Sequence, residues 1–317
     1  MAGREEILGL FPDYFRKIWE NTAEYGDSLQ EIRLRAEQPI LLLLSHKECF
    51  LAKDGSFTSK EGQALRVGKK DLEGILNHIC RYSVYAFEEE LRQGFLTVPG
   101  GHRIGVAGQV VMNETGGVKK LKNISYLNIR IAHEIIGAAD SVMPFLYQNG
   151  QFINGMIISP PGCGKTTMLR DIVRQVSDGN SYGEGRCVGV VDERSEIAGS
   201  YMGMAQNRIG MRTDVLDNCP KATGMMMLIR SMAPKVVAVD EIGSTEDVQA
   251  LLQVMRCGSG LIVTVHGSTM EEVRKKKYIG ELLIQKAFGR YIVLGRKNGS
   301  CVIESIFDED YNVCFRS

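Results

Sequence analysis

The pattern of apolar and polar positions predicts two different kinds of domain along this chain. In the N-terminal part, residues 31–35 alternate like a half-buried strand, and Pro39 opens the apolar run 40–44. Residues 49–51 fit a hairpin partner for that run, and apolar side chains at helical spacing predict a helix over 71–82. This mixture of hairpins and helix predicts an α+β domain.

The end of that domain is predicted from a turn followed by further alternation. Gly100 and Gly101 predict a turn before a strand at 103–107, and alternating apolar positions continue from Leu127 to Ile131. The pattern changes between about residues 132 and 152. We therefore expect an N-terminal α+β domain over 1–135 and a second domain over 136–317.

In the second domain, strand and helix patterns alternate, which predicts a largely parallel sheet. The predicted strands are 156–158, 188–191, 236–239 and 261–265. Two later strands, at 291–294 and 302–307, are expected to form an antiparallel extension. Residues 177–186 hold three glycines and predict a surface loop. The fold class expected is α/β, with the smaller α+β domain in front.

Composition narrows the class of protein. The 317 residues are 44% hydrophobic and 24% charged, and 38 basic residues balance 38 acidic ones, which argues against a strongly basic nucleic-acid binder. The eight cysteines show no C-x-x-C pair, so reduced cytosolic thiols are the simplest interpretation. The first ten residues lack the apolar core of a signal peptide, and the run 40–44 is too short to span a bilayer. Any membrane role is expected to be peripheral and through partners.

The segment with the clearest chemistry predicts a phosphate-binding P-loop. A short apolar strand precedes it, and a helix with one apolar face follows. Backbone N–H groups at such a helix start attract an anion, Lys165 would reach the β- and γ-phosphates, and the Thr166 hydroxyl would bind Mg²⁺. ATP and Mg²⁺ are therefore the expected ligands. The loop residues are Ser159, Pro160, Pro161, Gly162, Cys163, Gly164, Lys165, Thr166 and Thr167.

One position departs from the usual P-loop pattern, which begins with glycine. Ser159 stands there, and serine turns the chain less freely than glycine does. We interpret it as a tolerated variant because Gly162, Gly164, Lys165 and Thr166 are all in place. The alternative is an ordinary glycine-containing turn between a strand and a helix.

A second motif has the form of a Walker B element. The strand-like run 235–239, which is apolar after Lys235, ends in Asp240 and Glu241. Asp240 would hold Mg²⁺, directly or through water, and Glu241 would orient and deprotonate the attacking water. The alternative is a buried strand followed by an acidic helix start, because Ser244 and Asp247 fit a capping box.

Two further strand ends carry polar side chains. Asp192, Glu193 and Glu196 follow the strand at 188–191 and would share the carboxyl edge of a parallel sheet with the P-loop. Thr264 and His266 end the strand at 261–265 and could sense the γ-phosphate. The alternatives are a solvated turn for the acidic cluster and a purely local role for the histidine.

The order of these motifs resembles the secretion and pilus-retraction ATPases of type II and type IV systems. A closer resemblance is to the stage III sporulation protein AA family of endospore-forming bacteria, and it covers nearly the whole chain. The segments that carry it are 29–35, 85–90, 100–105, 192–197, 212–217 and 219–221.

The resemblance implies a RecA-like motor domain and a Mg²⁺-dependent ATPase in the mother-cell cytoplasm. It implies membrane-protein partners in a channel complex between mother cell and forespore, and a homo-hexamer by similarity to secretion ATPases. No specific nucleic acid is expected as a partner. By that likeness Asp192, Glu193 and Glu196 form an acidic box, while Glu241 and His266 belong to the Walker B and His boxes.

Arginines of a neighbouring N-terminal domain reach the γ-phosphate in such hexamers, where they stabilise transition-state charge. Arg103 and Arg130 resemble those fingers, and their alternative is a role as exposed strand arginines. Arg208, Arg212 and Arg230 are further candidates, either structural or interfacial.

Two other functions remain open from the residues alone. RecA-like domains also serve nucleic-acid-dependent ATPases, although the neutral charge and the lack of a basic stripe interleaved with aromatics count against that function. A nucleotide-gated scaffold with little turnover would carry the same motifs. Strong stimulation of ATP hydrolysis by single-stranded nucleic acid would favour the first alternative. Measured ATP hydrolysis would separate a motor from the nucleotide-gated scaffold.

Overall fold

The computed structural model describes residues 4–23, 28–45, 47–297 and 300–317. The chain divides into two compact units, Met1–Glu134 and Ile135–Ser317. Within the described ranges, no helix combines the length and the apolar character needed to cross a lipid bilayer.

The N-terminal unit is built around a seven-stranded antiparallel sheet in the order β5-β4-β3-β1-β9-β8-β7, while β2 and β6 pair separately. Its helices are α1 Arg4–Leu8, α2 Asp13–Ala23, α3 Lys69–Ile79 and α4 Glu88–Gln93. Its strands are β1 Leu29–Arg35, β2 Gln38–Pro39, β3 Leu41–Leu44, β4 Glu48–Leu51, β5 Phe57–Thr58, β6 Arg66–Val67, β7 Phe95–Thr97, β8 Arg103–Met112 and β9 Val118–Arg130.

Most of the predicted elements of this unit are confirmed. β1 pairs with β3, and β3 pairs with β4 as the predicted hairpin, although residue 46 of the predicted turn lies outside the described residues. Gly100 and Gly101 form the predicted turn with φ of +82° and +72°. The helix predicted over 71–82 ends early, because Arg81 and Tyr82 have φ of +48° and +59°.

The core of the N-terminal unit forms because the apolar positions of its strands alternate. Ile32, Ile104 and Ile129 lie on three neighbouring strands and are fully buried. Trp19 on α2 packs against this side of the sheet and stacks on Phe11, with 4.2 Å between the ring centroids. Aromatic rings of this size bury much of a small unit's apolar surface.

The C-terminal unit is built around an eight-stranded sheet in the order β16-β15-β17-β18-β12-β19-β20-β21. Its helices are α5 Lys165–Asp178, α6 Lys221–Ser231, α7 Thr245–Arg256, α8 Met270–Arg274 and α9 Gly280–Ile284. Its strands are β10 Tyr147–Gln148, β11 Gln151–Phe152, β12 Gly155–Ser159, β13 Gly179–Asn180, β14 Gly183–Glu184, β15 Val188–Asp192, β16 Thr213–Asp217, β17 Val236–Val239, β18 Gly260–His266, β19 Arg290–Lys297, β20 Ser300–Phe307 and β21 Val313–Arg316.

The predicted parallel sheet is confirmed for its four central strands, since β15, β17, β18 and β12 are parallel neighbours in that order. The prediction for the strand at 291–294 was wrong in direction. This strand, β19, runs parallel to β12, and the antiparallel extension begins only with β20. Strand pairing is decided by contacts between distant segments, so the local pattern carried no information on direction.

Two other segments differ from the expectation. The hydrophobic pattern did not predict β16, an edge strand whose residues are all half-buried. The loop predicted at 177–186 begins as the last turn of α5 and continues as the small hairpin of β13 and β14. Neither difference moves the carboxyl ends of the four central strands, which meet at one edge of the sheet as predicted.

Candidate active site

The loop between β12 and α5 has the conformation of an anion cradle. Gly162 and Gly164 have φ of +70° and +76°, and Gly164 is the residue that precedes α5. Ser159 is the buried last residue of β12 and is not in the left-handed region. The departure from glycine at this position is therefore tolerated, because the backbone there does not require glycine.

Lys165 is held inside the site by a carboxylate. Its side chain is only 7% exposed, and its ammonium group donates a hydrogen bond of 2.7 Å to Oε1 of Glu241. An amine kept this close to the start of a 14-residue helix lies where the helix attracts anions. The ammonium group of Lys165 is thus paired with the carboxylate of Glu241.

Thr166 and Asp240 lie side by side on the two neighbouring elements. The Thr166 hydroxyl donates to Oδ2 of Asp240 over 2.6 Å. On the other oxygen, Asp240 accepts a hydrogen bond from the buried hydroxyl of Thr264, which in turn accepts the amide hydrogen of Glu241 over 2.8 Å. Thr264 therefore fixes the carboxylate of Asp240 and the backbone of Glu241, and its role as a γ-phosphate sensor stays a prediction.

Glu241 is the centre of the charge network. Its backbone φ of +56° is unusual for a residue with a Cβ and turns the side chain toward the P-loop. Oε1 accepts a hydrogen bond from Lys165 and lies 2.9 Å from Nε2 of His266, and Oε2 accepts a hydrogen bond from Arg194 at 2.8 Å. Partial burial raises the pKa of Glu241, but the hydrogen bond and charge of Lys165, with His266 and Arg194, bring it below its ordinary value.

Asp192 organises the loop after β15. Its carboxylate accepts backbone amide hydrogens from Glu196, Ile197 and Ala198 at 2.8 to 3.0 Å. Burial raises the pKa of Asp192 to about 6 against these hydrogen bonds, and the neighbouring charge of Asp217 acts in the same direction as burial. This geometry favours a structural role for Asp192, and its catalytic role stays a prediction.

The other two acidic residues of this loop differ in what they contact. Glu193 pairs with the ammonium group of Lys221, which is the first residue of α6. The side chain of Lys221 is largely buried. The backbone carbonyl of Glu196 accepts a hydrogen bond from Arg170 of α5 over 2.6 Å. The loop is thereby tied to both α5 and α6, and the catalytic roles of Glu193 and Glu196 also stay predictions.

The structure shows one arginine at the site that sequence reasoning had not singled out. Arg194 reaches from the acidic loop to Glu241, which lies on the neighbouring strand end. The signals for it in the sequence are its position two residues after β15 and its place in the resemblance segment 192–197. Lys221 was noted only as part of a resemblance segment, because its contact with Glu193 joins segments 28 residues apart.

Of the five arginines proposed as fingers, three contact residues of their own unit and two are exposed. Arg103 lies over the Phe95 ring at 3.7 Å, Arg130 lies 3.5 Å from Glu31, and Arg212 donates to the Ser177 carbonyl over 2.9 Å. Arg208 and Arg230 are exposed. Since a finger would act on a neighbouring subunit, these roles stay predictions.

An apolar cavity of about 510 Å³ adjoins the P-loop. Its walls include Cys163 and Met168 from the P-loop side and Leu294, Ile303 and Phe315 from the last strands of the unit. The size and the apolar lining are typical of a small-molecule pocket.

The donor set fits a magnesium ion together with phosphates. Thr166 and Asp240 offer oxygen ligands within 2.6 Å of each other, and Mg²⁺ prefers one or two protein oxygens besides phosphate oxygens and water. Lys165, Arg194 and Lys221 add positive charge, while Glu241 can accept a proton. The arrangement can bind a chelated polyphosphate and activate a water molecule beside it.

Comparison with known proteins supports this description. The family model described as "Sporulation stage III, protein AA" matches residues 1–314. Stage III sporulation protein AA of Bacillus subtilis is 42% identical over 313 residues, which cover 98% of this chain and 97% of that protein.

The fold is shared with solved ATPases of low sequence identity. The ATPase DotB of Legionella pneumophila has a TM-score of 0.61 at 15% identity, covering 95% of this chain and 82% of that one. The pilus retraction motor PilT, solved with bound ADP, has a TM-score of 0.55 at 16% identity, covering 92% and 82%. The C-terminal unit thus has a RecA-like P-loop ATPase fold, as expected from the sequence.

Proposed function

The chain belongs to the sporulation stage III protein AA family, and from this premise we propose that it is a Mg²⁺-dependent ATPase serving a channel complex between mother cell and forespore. The observation that carries the enzymatic part is a pair of contacts at the start of α5. Lys165 meets Glu241, and Thr166 meets Asp240, in a RecA-like unit. The residues proposed to bind phosphate, to bind Mg²⁺ and to act as the general base thus lie within hydrogen-bonding distance of one another.

Binding would begin with an exchange of partners on Lys165. The backbone N–H groups of the P-loop and the start of α5 would receive the phosphates, and Lys165 would leave Glu241 for the β- and γ-phosphate oxygens. Thr166 and Asp240 would hold Mg²⁺. Bound there, the ion would neutralise charge on the β- and γ-phosphates.

Hydrolysis would depend on Glu241 once it is released from Lys165. The carboxylate would orient a water molecule and accept its proton. Its position is fixed by the left-handed backbone and by the hydrogen bond from its amide to Thr264. His266 contacts the same carboxylate and would help to hold it in line.

Phosphate release from Mg²⁺-ATP by the purified chain tests this proposal. Lys165→Ala is expected to abolish ATP binding or turnover, whereas Glu241→Gln keeps binding and loses hydrolysis. Undiminished phosphate release in both variants would overturn the site assignment. Absence of release from the unaltered chain, with nucleotide binding intact, would favour the nucleotide-gated scaffold instead.

The cellular part of the proposal rests on family membership. We propose a homo-hexamer in the mother-cell cytoplasm, held at the membrane by membrane-protein partners of the channel complex. ATP hydrolysis would move one domain against the other and so act on that complex. Nucleic acid is not proposed as a partner; strong stimulation of ATP hydrolysis by single-stranded DNA or RNA, lost at high salt, would contradict this part.

A further inference from the structure

The most informative residue outside the motifs is Arg194, which shares a carboxylate with the P-loop lysine. Lys165 contacts Oε1 of Glu241 at 2.7 Å, and Arg194 contacts Oε2 at 2.8 Å. Two cations of different origin therefore lie on opposite oxygens of one carboxylate. A phosphate that draws Lys165 away from Glu241 arrives directly beside the guanidinium group.

The backbone that carries Arg194 is fixed on both sides. Glu193 is paired with Lys221, and the Ser195 hydroxyl donates to Oδ1 of Asp217 over 2.6 Å. Asp192 is bound by three backbone amides. The long side chain of Arg194 is 58% exposed, so it can change partner without any movement of the loop.

The chemistry of the group favours a terminal phosphate. A planar guanidinium donates two parallel hydrogen bonds to phosphate oxygens, and such charge-assisted pairs are stronger than neutral ones. In a P-loop site the lysine reaches the β- and γ-phosphates. Because Arg194 approaches from the Glu241 side of Lys165, the phosphate group it meets is the outermost one.

From this geometry we infer that Arg194 senses the γ-phosphate within its own subunit. It exchanges Glu241 for the terminal phosphate of a nucleoside triphosphate, and this exchange frees the carboxylate for the attacking water. The residue therefore distinguishes triphosphate from diphosphate. The inference rests on the proposed nucleotide site and adds a specificity residue to it.

Calorimetric titration of the full chain tests the inference, with a non-hydrolysable ATP analogue and ADP, each in Mg²⁺. Arg194→Ala is expected to weaken binding of the triphosphate analogue about ten-fold, equivalent to about 1.4 kcal/mol, and binding of ADP less than about two-fold. Arg194→Lys, which keeps the charge but not the fork, should give an intermediate loss. Arg256→Ala, an exposed arginine in the last turn of α7, serves as the control and should match the unaltered chain.

The possible results separate this inference from the function on which it rests. An Arg194→Ala variant that binds both nucleotides as the unaltered chain does, or weakens both equally, overturns the inference alone. A variant with lowered turnover but an unchanged ratio of the two affinities also overturns it, because Arg194 would then only orient Glu241. If the unaltered chain binds neither nucleotide, the proposed function fails and the inference fails with it.

Discussion

Glu241, the proposed general base, contacts Lys165 and Arg194, which we propose to bind phosphate. Lys165, Arg194 and His266 contact the carboxylate of Glu241. The side chain of Glu241 is 20% exposed. The contact with Glu241 pairs the nearly buried ammonium group of Lys165, whose unpaired charge would be costly. In the proposed mechanism, a nucleotide would displace Glu241 from Lys165 before the carboxylate acts as a base.

Replacing Glu241 with Gln separates binding from chemistry. Phosphate release should fall by at least about 100-fold, since the general base is lost, whereas affinity for Mg²⁺-ATP should be kept or increased because Lys165 is freed from a competing charge. Steady-state phosphate release and calorimetry measure the two effects. Glu246→Gln, an exposed position in the first turn of α7, is the control and should leave both unchanged. Equal loss of binding and turnover in Glu241→Gln would contradict this role.

The residues that sequence could identify are those whose role follows from a local motif. Lys165 and Thr166 follow a glycine-containing loop, and Asp240 follows an apolar strand. Arg194 could not be assigned in this way, because its direction depends on a loop in which Ser195 has φ of +53° and Asp192 is bound by three amides. Such contacts between distant segments leave no spacing pattern in the sequence.

At the scale of elements, the P-loop depends on a backbone that only glycine adopts easily. The backbone at Gly164 has φ of +76°, which is strained for a residue with a side chain. A Cβ added there would lie 3.3 Å from Sγ of Cys301. Gly164→Ala should therefore lower the free energy of unfolding by about 1–2 kcal/mol and weaken nucleotide binding. Denaturant unfolding and calorimetry measure both quantities.

A matched glycine provides the control for that substitution. Gly280 is the first residue of α9, its φ is not in the left-handed region, and a Cβ there would meet no atom within 4 Å. Gly280→Ala should be neutral or stabilising by about 0.5 kcal/mol. Equal destabilisation of the two variants would show that the left-handed conformation at Gly164 is not the cause.

His102 links the two longest strands of the N-terminal unit and makes its stability depend on pH. The ring is fully buried, and its Nδ1 accepts the amide hydrogen of Ala132, which follows β9. Burial lowers the pKa of His102 to about 4, so the unfolded chain binds a proton at higher pH than the folded chain does. The contribution of His102 to the free energy of unfolding is therefore lost as pH falls from about 6.5 toward 4.

The measurement compares unfolding free energies at about pH 7.5 and about pH 5.5. His102 should contribute about 1 kcal/mol of loss over this interval. His102→Gln is expected to be less stable at both values but to show a correspondingly smaller difference between them. A variant with the full pH dependence of the unaltered chain would rule out His102 as its source.

The central elements could be predicted because their patterns are local. Four buried apolar runs predicted β12, β15, β17 and β18, and apolar side chains on one face predicted the helix α5. The edge strand β16 was missed because its half-buried residues include polar side chains and lack an apolar run. The parallel direction of β19 depends on its pairing with β12, more than a hundred residues earlier in the chain, and no local pattern determines such a pairing.

At the scale of the whole molecule, the proposed hexamer follows from family membership and can be tested directly. Mass measurement of the chain with and without a non-hydrolysable ATP analogue should show assembly to a hexamer with nucleotide. The expectation rests on the resemblance to secretion ATPases, in which finger arginines such as those proposed at Arg103 or Arg130 act on the phosphate of a neighbouring subunit. A monomer under both conditions would contradict the proposal for the isolated protein.

The central claim is that a magnesium-chelated triphosphate binds where Lys165 now meets Glu241. Calorimetric titration of Mg²⁺-ATP into the unaltered chain and into Lys165→Ala, which loses the buried amine at that position, tests it most directly. We predict saturable binding of one nucleotide per chain to the unaltered protein and at least about a ten-fold loss of affinity in the variant. No heat of binding with the unaltered chain, or equal binding by both proteins, would contradict the account.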